Sequence, residues 1–132
     1  MSRIVLCHGV FDLLHPGHVL HLQRARKLGT SLVVSIVHDD YCTKRKPIYS
    51  AQDRKLMLEA LRDVTRVVIS HAPGPERVIE MIRPQLYVRG EAYEGKRMPE
   101  SDLLERLGIP TITVLSHPLH TSDLIARVKA LP

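Results

Sequence analysis

The chain has 132 residues, 44% of them hydrophobic and 25% charged, with a formal net charge of +5. That length suits one compact domain with its own core, and the composition excludes a disordered or fibrous chain. The positive balance points to anionic partners, but aromatics are only 4% and the basic residues are spread along the chain, which argues against a nucleic-acid interface and for small phosphorylated molecules.

Short β-branched runs alternate with longer helical patterns. Residues 3–7 read as a first strand. Residues 17–28 read as a helix with His18, His21, Leu22, Ala25 and Leu28 along one face, and Gly29 supplies its stop. Residues 31–37, continuous in Leu, Val and Ile, read as a second strand buried on both faces. Residues 38–49 are polar and basic and read as a loop. Ser50 followed by Asp53 caps a helix over 52–62. A third strand follows at 66–69 and a short helix at 75–82, with Pro75 in its first turn. A brief strand at 86–88 leads into Arg89-Gly90-Glu91, a helix spans 101–107, and a fifth strand spans 111–115. A last helix starts near Thr121-Ser122-Asp123 and runs to Lys129. The order predicts an α/β, Rossmann-like, doubly wound parallel sheet of five strands with helices on both faces. The whole chain, 1–132, reads as one domain, with the tail from Lys129 either a true end or a cut before another domain.

Two cysteines, Cys7 and Cys42, read as free thiols in a reducing compartment. Neither a signal peptide nor an apolar run of membrane-spanning length is visible, so a cytoplasmic protein with no membrane partner is expected.

The densest chemical signal is Gly9-Val10-Phe11-Asp12-Leu13-Leu14-His15-Pro16-Gly17-His18. It lies where a strand hands over to a helix, the place where open α/β sheets bind anionic ligands through backbone N–H groups. Gly9 and Gly17 let backbone approach phosphate oxygens closely. His15 and His18, three apart across the helix start, point into the space above the strand end, where imidazolium or neutral N–H can donate to phosphate. Competing readings are a zinc site on His15, His18 and His21, which lacks a fourth ligand, core histidines satisfied by backbone, and a dinucleotide site, for which the glycine fingerprint is absent. Lys44, Arg45 and Lys46 taken alone read as a solvated basic loop. Arg54 lies on the apolar side of its helix and needs an anionic partner.

The decapeptide resembles the signature of the HxGH nucleotidyltransferase superfamily. Within it the chain looks most similar to small cytidylyltransferases of the glycerol-3-phosphate type, with heptose-pathway sugar-phosphate adenylyltransferases as near relatives. The resemblance implies a catalytic set of His15, His18, Lys44 and Lys46. It implies a nucleotide site from Gly9, Val10, Phe11, Gly17, Arg89, Gly90, Glu91, Tyr93, His120, Thr121 and Ser122. Arg54 and Arg62 match arginines around the active site and, with Asp12 and Asp39, are expected to serve acceptor and phosphate binding. The Tyr93-Glu94-Gly95-Lys96 ending favours the glycerol-phosphate type. The chain departs from that type at Glu91-Ala92 and along 116–122, where an arginine and a glycine are missing.

The expected reaction is transfer of CMP from CTP to a small phosphorylated alcohol or alcohol phosphonate, releasing pyrophosphate, with Mg²⁺ accompanying the triphosphate. Asp12 or Asp39 would hold that Mg²⁺ through water. A homodimer is expected. The alternatives are an adenylyltransferase acting on a sugar phosphate and, in another class, a non-catalytic nucleotide-binding domain.

Overall fold

The computed structural model describes residues 2–115 and 117–132. Five parallel strands form one sheet in the order β3-β2-β1-β4-β5: β1 (Ile4–Gly9), β2 (Ser31–Val37), β3 (Arg66–Ser70), β4 (Leu86–Gly90) and β5 (Thr111–Val114). The helices are α1 (Pro16–Arg26), α2 (Ala51–Glu59), α3 (Glu76–Ile82), α4 (Ser101–Leu107) and α5 (Thr121–Lys129). Single 3₁₀ turns at Asp39–Tyr41 and Glu91–Tyr93 follow β2 and β4. The doubly wound parallel sheet expected from the sequence is the observed fold.

Alternation along the strands builds two cores. Val5 and Cys7 of β1 pack with Val34 and Ile36 of β2, Val88 of β4, Leu22 and Ala25 of α1 and Leu58 of α2. Leu6, Val33 and Tyr87 face the other way, onto Val78 and Ile79 of α3 and Leu103 and Leu104 of α4. Helices α1 and α2 therefore cover one face and α3 and α4 the other. The chain reverses its winding between β1 and β4, which pair in register from Val5 opposite Leu86 to Cys7 opposite Val88. The carboxyl end of these two strands is the topological switch point, where folds of this kind take ligands.

Element boundaries differ from expectation by a few residues. Strands β1 and β4 run on to Gly9 and Gly90 because the neighbouring ladders continue. Helix α2 stops at Glu59 rather than 62, and α1 at Arg26, with Lys27 as a right-handed cap. Gly29 does not act as a left-handed stop: a Cβ there would sit 2.5 Å from the Arg3 carbonyl oxygen, so glycine is required by close approach of the turn to β1. Both cysteines are free. No helix of the described residues is long and apolar enough to cross a membrane.

Candidate active site

Beyond Gly9 the chain makes an unusual connection to α1. Phe11 and Leu13 both have left-handed backbone, with φ of 53° and 49°, a conformation that costs a non-glycine residue about 1–3 kcal/mol. Side-chain anchors hold it. Phe11 is buried with its ring 5.5 Å from that of His18. Asp12 is 3% exposed, and its carboxylate accepts from the backbone N–H of Ile48 at 2.8 Å and of Tyr49 at 3.0 Å and from Arg45 Nη1 at 2.9 Å. Burial alone would raise the Asp12 carboxyl, but these donors outweigh it and hold it below the ordinary value.

Arg54 completes the clamp. It is fully buried, and its guanidinium donates to the Tyr49 carbonyl at 3.0 Å, the Val10 carbonyl at 2.8 Å and Asp39 Oδ1 at 2.6 Å. The anionic partner that a buried Arg requires is thus Asp39 of the protein itself. Asp12, Asp39 and Arg54, expected as acceptor contacts, hold the 45–49 loop onto the 10–14 connection through these bonds and do not line the cavity. Arg62 lies apart, beside Val19, Leu22 and Gln23 in a separate hollow of about 280 Å³.

The two motif histidines cap α1. His15 is its N-cap, and its Nδ1 accepts from the Gly17 N–H at 3.0 Å. His18 Nδ1 reaches back to accept from the His15 N–H at 3.2 Å. The rings stack, with centroids 3.8 Å apart and an angle of 27° between planes. A Cβ on Gly17 would lie 2.7 Å from the His15 ring, so that position must be glycine for the stack to form. Because each Nδ1 accepts, each neutral ring carries its proton on Nε2. Burial lowers both pKa values, His18 to about 4 with help from His15 and His21, and His15 with help from His117 and His120. Of the two protonation forms open to the sequence, the structure selects neutral Nε2–H donors.

These rings line a cavity of about 670 Å³ over the switch point. Gly9, Val10, Phe11 and Gly17 line it from the connection, Lys44 and Arg45 from the basic loop, Arg89, Gly90 and Tyr93 from the end of β4, and His120 from the start of α5. Helix α5 is seated there by the Thr121 hydroxyl, which donates to the Asp12 carbonyl at 3.0 Å. Lys46, Glu91 and Ser122 are not among the lining residues, and Thr121 acts through that bond rather than from the wall. The sequence reading missed His8, Glu100 and His117, which also line the cavity, and placed Tyr87 only within a segment, 86–96, that resembles a nucleoside-pocket lining. Only His8 carried a signal, since it lies two residues after Leu6 on a strand and so shares its face. Ser116, in the stretch that departs from the glycerol-phosphate type, lies outside the described residues.

Buried neutral histidines make stability depend on pH. His8, lowered by burial to about 4, and His18, at about 4, both start from an ordinary 6.5. Between those values the unfolded chain binds more protons, so their contribution is complete above pH 6.5 and is lost as pH falls toward 4, on the order of 3 kcal/mol each. Urea midpoints measured from pH 7 to pH 4 are expected to fall across that window, and less steeply in His8→Asn. A midpoint flat across it would contradict the buried neutral state.

A family model described as cytidylyltransferase-like matches residues 6–107. The chain is 41% identical over 131 residues to a FAD synthase of Aciduliprofundum boonei, covering 96% of this chain and 87% of that one. It is 36% identical over 132 residues to a D-beta-D-heptose 1-phosphate adenylyltransferase of Bordetella bronchiseptica, covering 96% and 82%. It spans only 28% of the length of the bifunctional protein HldE of Pasteurella multocida, which it also matches. Among solved structures, the lipopolysaccharide core biosynthesis protein from Thermoplasma volcanium GSS1 superposes with a TM-score of 0.74 at 27% identity, covering 91% of this chain and all of that one.

These relatives overturn the expectation of CMP transfer from CTP to a glycerol-3-phosphate-like acceptor, because they are named a FAD synthase and an adenylyltransferase. The structure shows why Tyr93-Glu94-Gly95-Lys96 misled. Of the four only Tyr93 lines the cavity, while Glu94, Gly95 and Lys96 are exposed and outside its wall. A parallel sheet wound about a switch point, two stacked histidines capping the first helix, and a family match over most of the chain lead to one assignment: the protein belongs to the cytidylyltransferase-like family of HxGH nucleotidyltransferases.

Proposed function

We propose that the protein transfers AMP from ATP to the phosphate of a small phosphorylated acceptor, releasing pyrophosphate, and that the acceptor is FMN. The observation that carries the reaction class is the pair of Nε2–H donors, fixed by the His15 and His18 capping bonds in a cavity that also opens on the start of α5. The base and acceptor rest on the 41% identity to a FAD synthase over nearly the whole chain, since FAD is AMP joined to FMN through a pyrophosphate bridge. A sugar 1-phosphate acceptor is the second reading, favoured by the 36% identity to the heptose 1-phosphate enzyme.

The reaction asks for placement more than for covalent chemistry. An acceptor phosphate is ionised at neutral pH and needs no general base. One of its oxygens attacks the α-phosphorus of ATP, the bond to the bridging oxygen breaks, and pyrophosphate leaves on the opposite side. His15 and His18 donate to the α-phosphate oxygens, where charge is redistributed in the transition state. Helix N-termini of α1 and α5 favour the departing pyrophosphate. Lys44 and Arg45 hold positive charge over the same space.

Magnesium fits as part of the substrate, MgATP. Asp12 and Asp39 are committed to protein partners, and among the described residues no group of three His, Cys, Asp or Glu gathers as a metal site. The triphosphate and water supply the ligands, the usual arrangement for this ion.

The test is pyrophosphate release in Mg²⁺ with each of ATP, CTP, GTP and UTP against FMN and heptose 1-phosphate. Turnover of ATP with FMN is expected. Turnover of ATP with the heptose phosphate alone moves the acceptor to the second reading, and turnover with CTP but not ATP overturns the proposal.

A further inference from the structure

The cavity has a wall on each side of the sheet. On the α1 side stand His15, His18 and the start of α5. On the opposite side stand side chains that the phosphate chemistry does not use. His8, Tyr87 and Arg89 share the face that packs on α3 and α4, and Glu100 reaches the same wall from the residue before α4.

Glu100 is the informative one. It is only 6% exposed, and its side chain makes no capping bond to the helix that follows. Besides its own backbone N–H, its partner is the Tyr87 hydroxyl, which donates across 3.4 Å. A carboxylate offers about four acceptor positions, and residues of this type are almost never so buried unless paired. Burial, with Glu76 nearby, lifts its pKa above the ordinary value. Tyr87 itself is 4% exposed. His8, on the same wall, holds the Ser35 hydroxyl at 3.0 Å through Nδ1. Arg89 donates to the Lys96 carbonyl at 3.1 Å but leaves its buried Nε without a partner. The wall is therefore polar and buried, with one long side-chain hydrogen bond to the carboxylate and an unpartnered Arg89 Nε–H beside it.

In-line displacement decides which substrate meets it. Entering and leaving oxygens lie on opposite sides of the α-phosphorus. If pyrophosphate departs toward the starts of α1 and α5, the acceptor enters from the α3–α4 side. A carboxylate repels the acceptor's phosphate, so it faces the body that the phosphate is attached to.

We infer that Glu100, positioned by Tyr87, selects acceptors whose body presents N–H or O–H donors, such as the imide edge of a flavin ring or the hydroxyls of a sugar, over phosphates on plain alkyl groups. This rests on the adenylyl-transfer reading and names the acceptor chemistry within it. Removing a hydrogen bond to a charged group of this kind costs about ten- to a hundredfold in affinity.

The test uses the intact protein with MgATP and FMN or, if that is the acceptor turned over, heptose 1-phosphate. In Glu100→Gln the KM for the acceptor is expected to rise at least tenfold, with the KM for ATP within twofold of wild type. A second arm needs no variant. In wild type the acceptor KM is expected to rise at least tenfold when the donors are blocked, with N3-methyl FMN or the corresponding deoxy sugar phosphate, and Glu100→Gln is expected to feel that blocking less. An unchanged acceptor KM in both arms, or a rise confined to ATP, overturns the inference while leaving adenylyl transfer standing. Absence of pyrophosphate release by wild type with either unmodified acceptor overturns both. Should Glu100→Gln fail to fold, Tyr87→Phe and the blocked acceptors on wild type decide the matter.

Discussion

His18→Ala is expected to slow pyrophosphate release about a hundred- to a thousandfold, the usual consequence of deleting a preorganised donor at a site of charge redistribution. The loss should fall on kcat more than on the KM for ATP, because the triphosphate keeps its helix N-termini and the basic loop. The same substitution removes the acceptor for the His15 N–H and the ring that Phe11 packs on, so a stability loss of about 1 kcal/mol accompanies it, as for a lost cap. Steady-state kinetics beside a thermal melt separate the two effects. Turnover within threefold of wild type would remove His18 from the reaction and leave it a cap.

Arg54→Met is expected to be the most destabilising single change, by about 3–5 kcal/mol, since it leaves Asp39 without its cation and the Val10 and Tyr49 carbonyls without this donor. Set against a typical total of about 5–15 kcal/mol, that is a large share. Urea denaturation measures it. Activity should fall with the fold, because the same guanidinium fixes Val10 at the cavity wall and Tyr49 in the loop beside it. Arg54→Lys should recover little, as one ammonium cannot span three partners in different directions. An Arg54 that served the acceptor instead would give the opposite pattern, a raised acceptor KM and an unchanged unfolding midpoint.

Arg54 also marks the limit of what could be read from residues in order. Its place on the apolar side of a helix correctly demanded an anion, but nothing in the spacing said whether that anion was a ligand or Asp39, fifteen positions earlier. Asp12 shows the same limit: standing inside the motif, it reads as part of the chemistry, while its backbone partners lie 36 and 37 residues away. The strands were legible because β-branched runs buried on both faces have few other uses, and the histidines because two rings at a strand–helix junction are rare in a core. Glu100 left no local trace, and nothing linked it to Tyr87. They meet only through the way β4 and α4 pack, which is a property of the fold and not of either segment.

The left-handed backbone at Phe11 and Leu13 has an evolutionary consequence. Glycine at either position would relax the chain locally, so the route to a more stable protein and the route to a sharper reaction centre diverge here. At Phe11 the trade is direct, because the same side chain supports the His18 ring. Selection for heat tolerance acting on this connection would therefore be opposed by selection for turnover, and a laboratory search for stabilised variants should find its gains on the distant helix surfaces and few in these five residues.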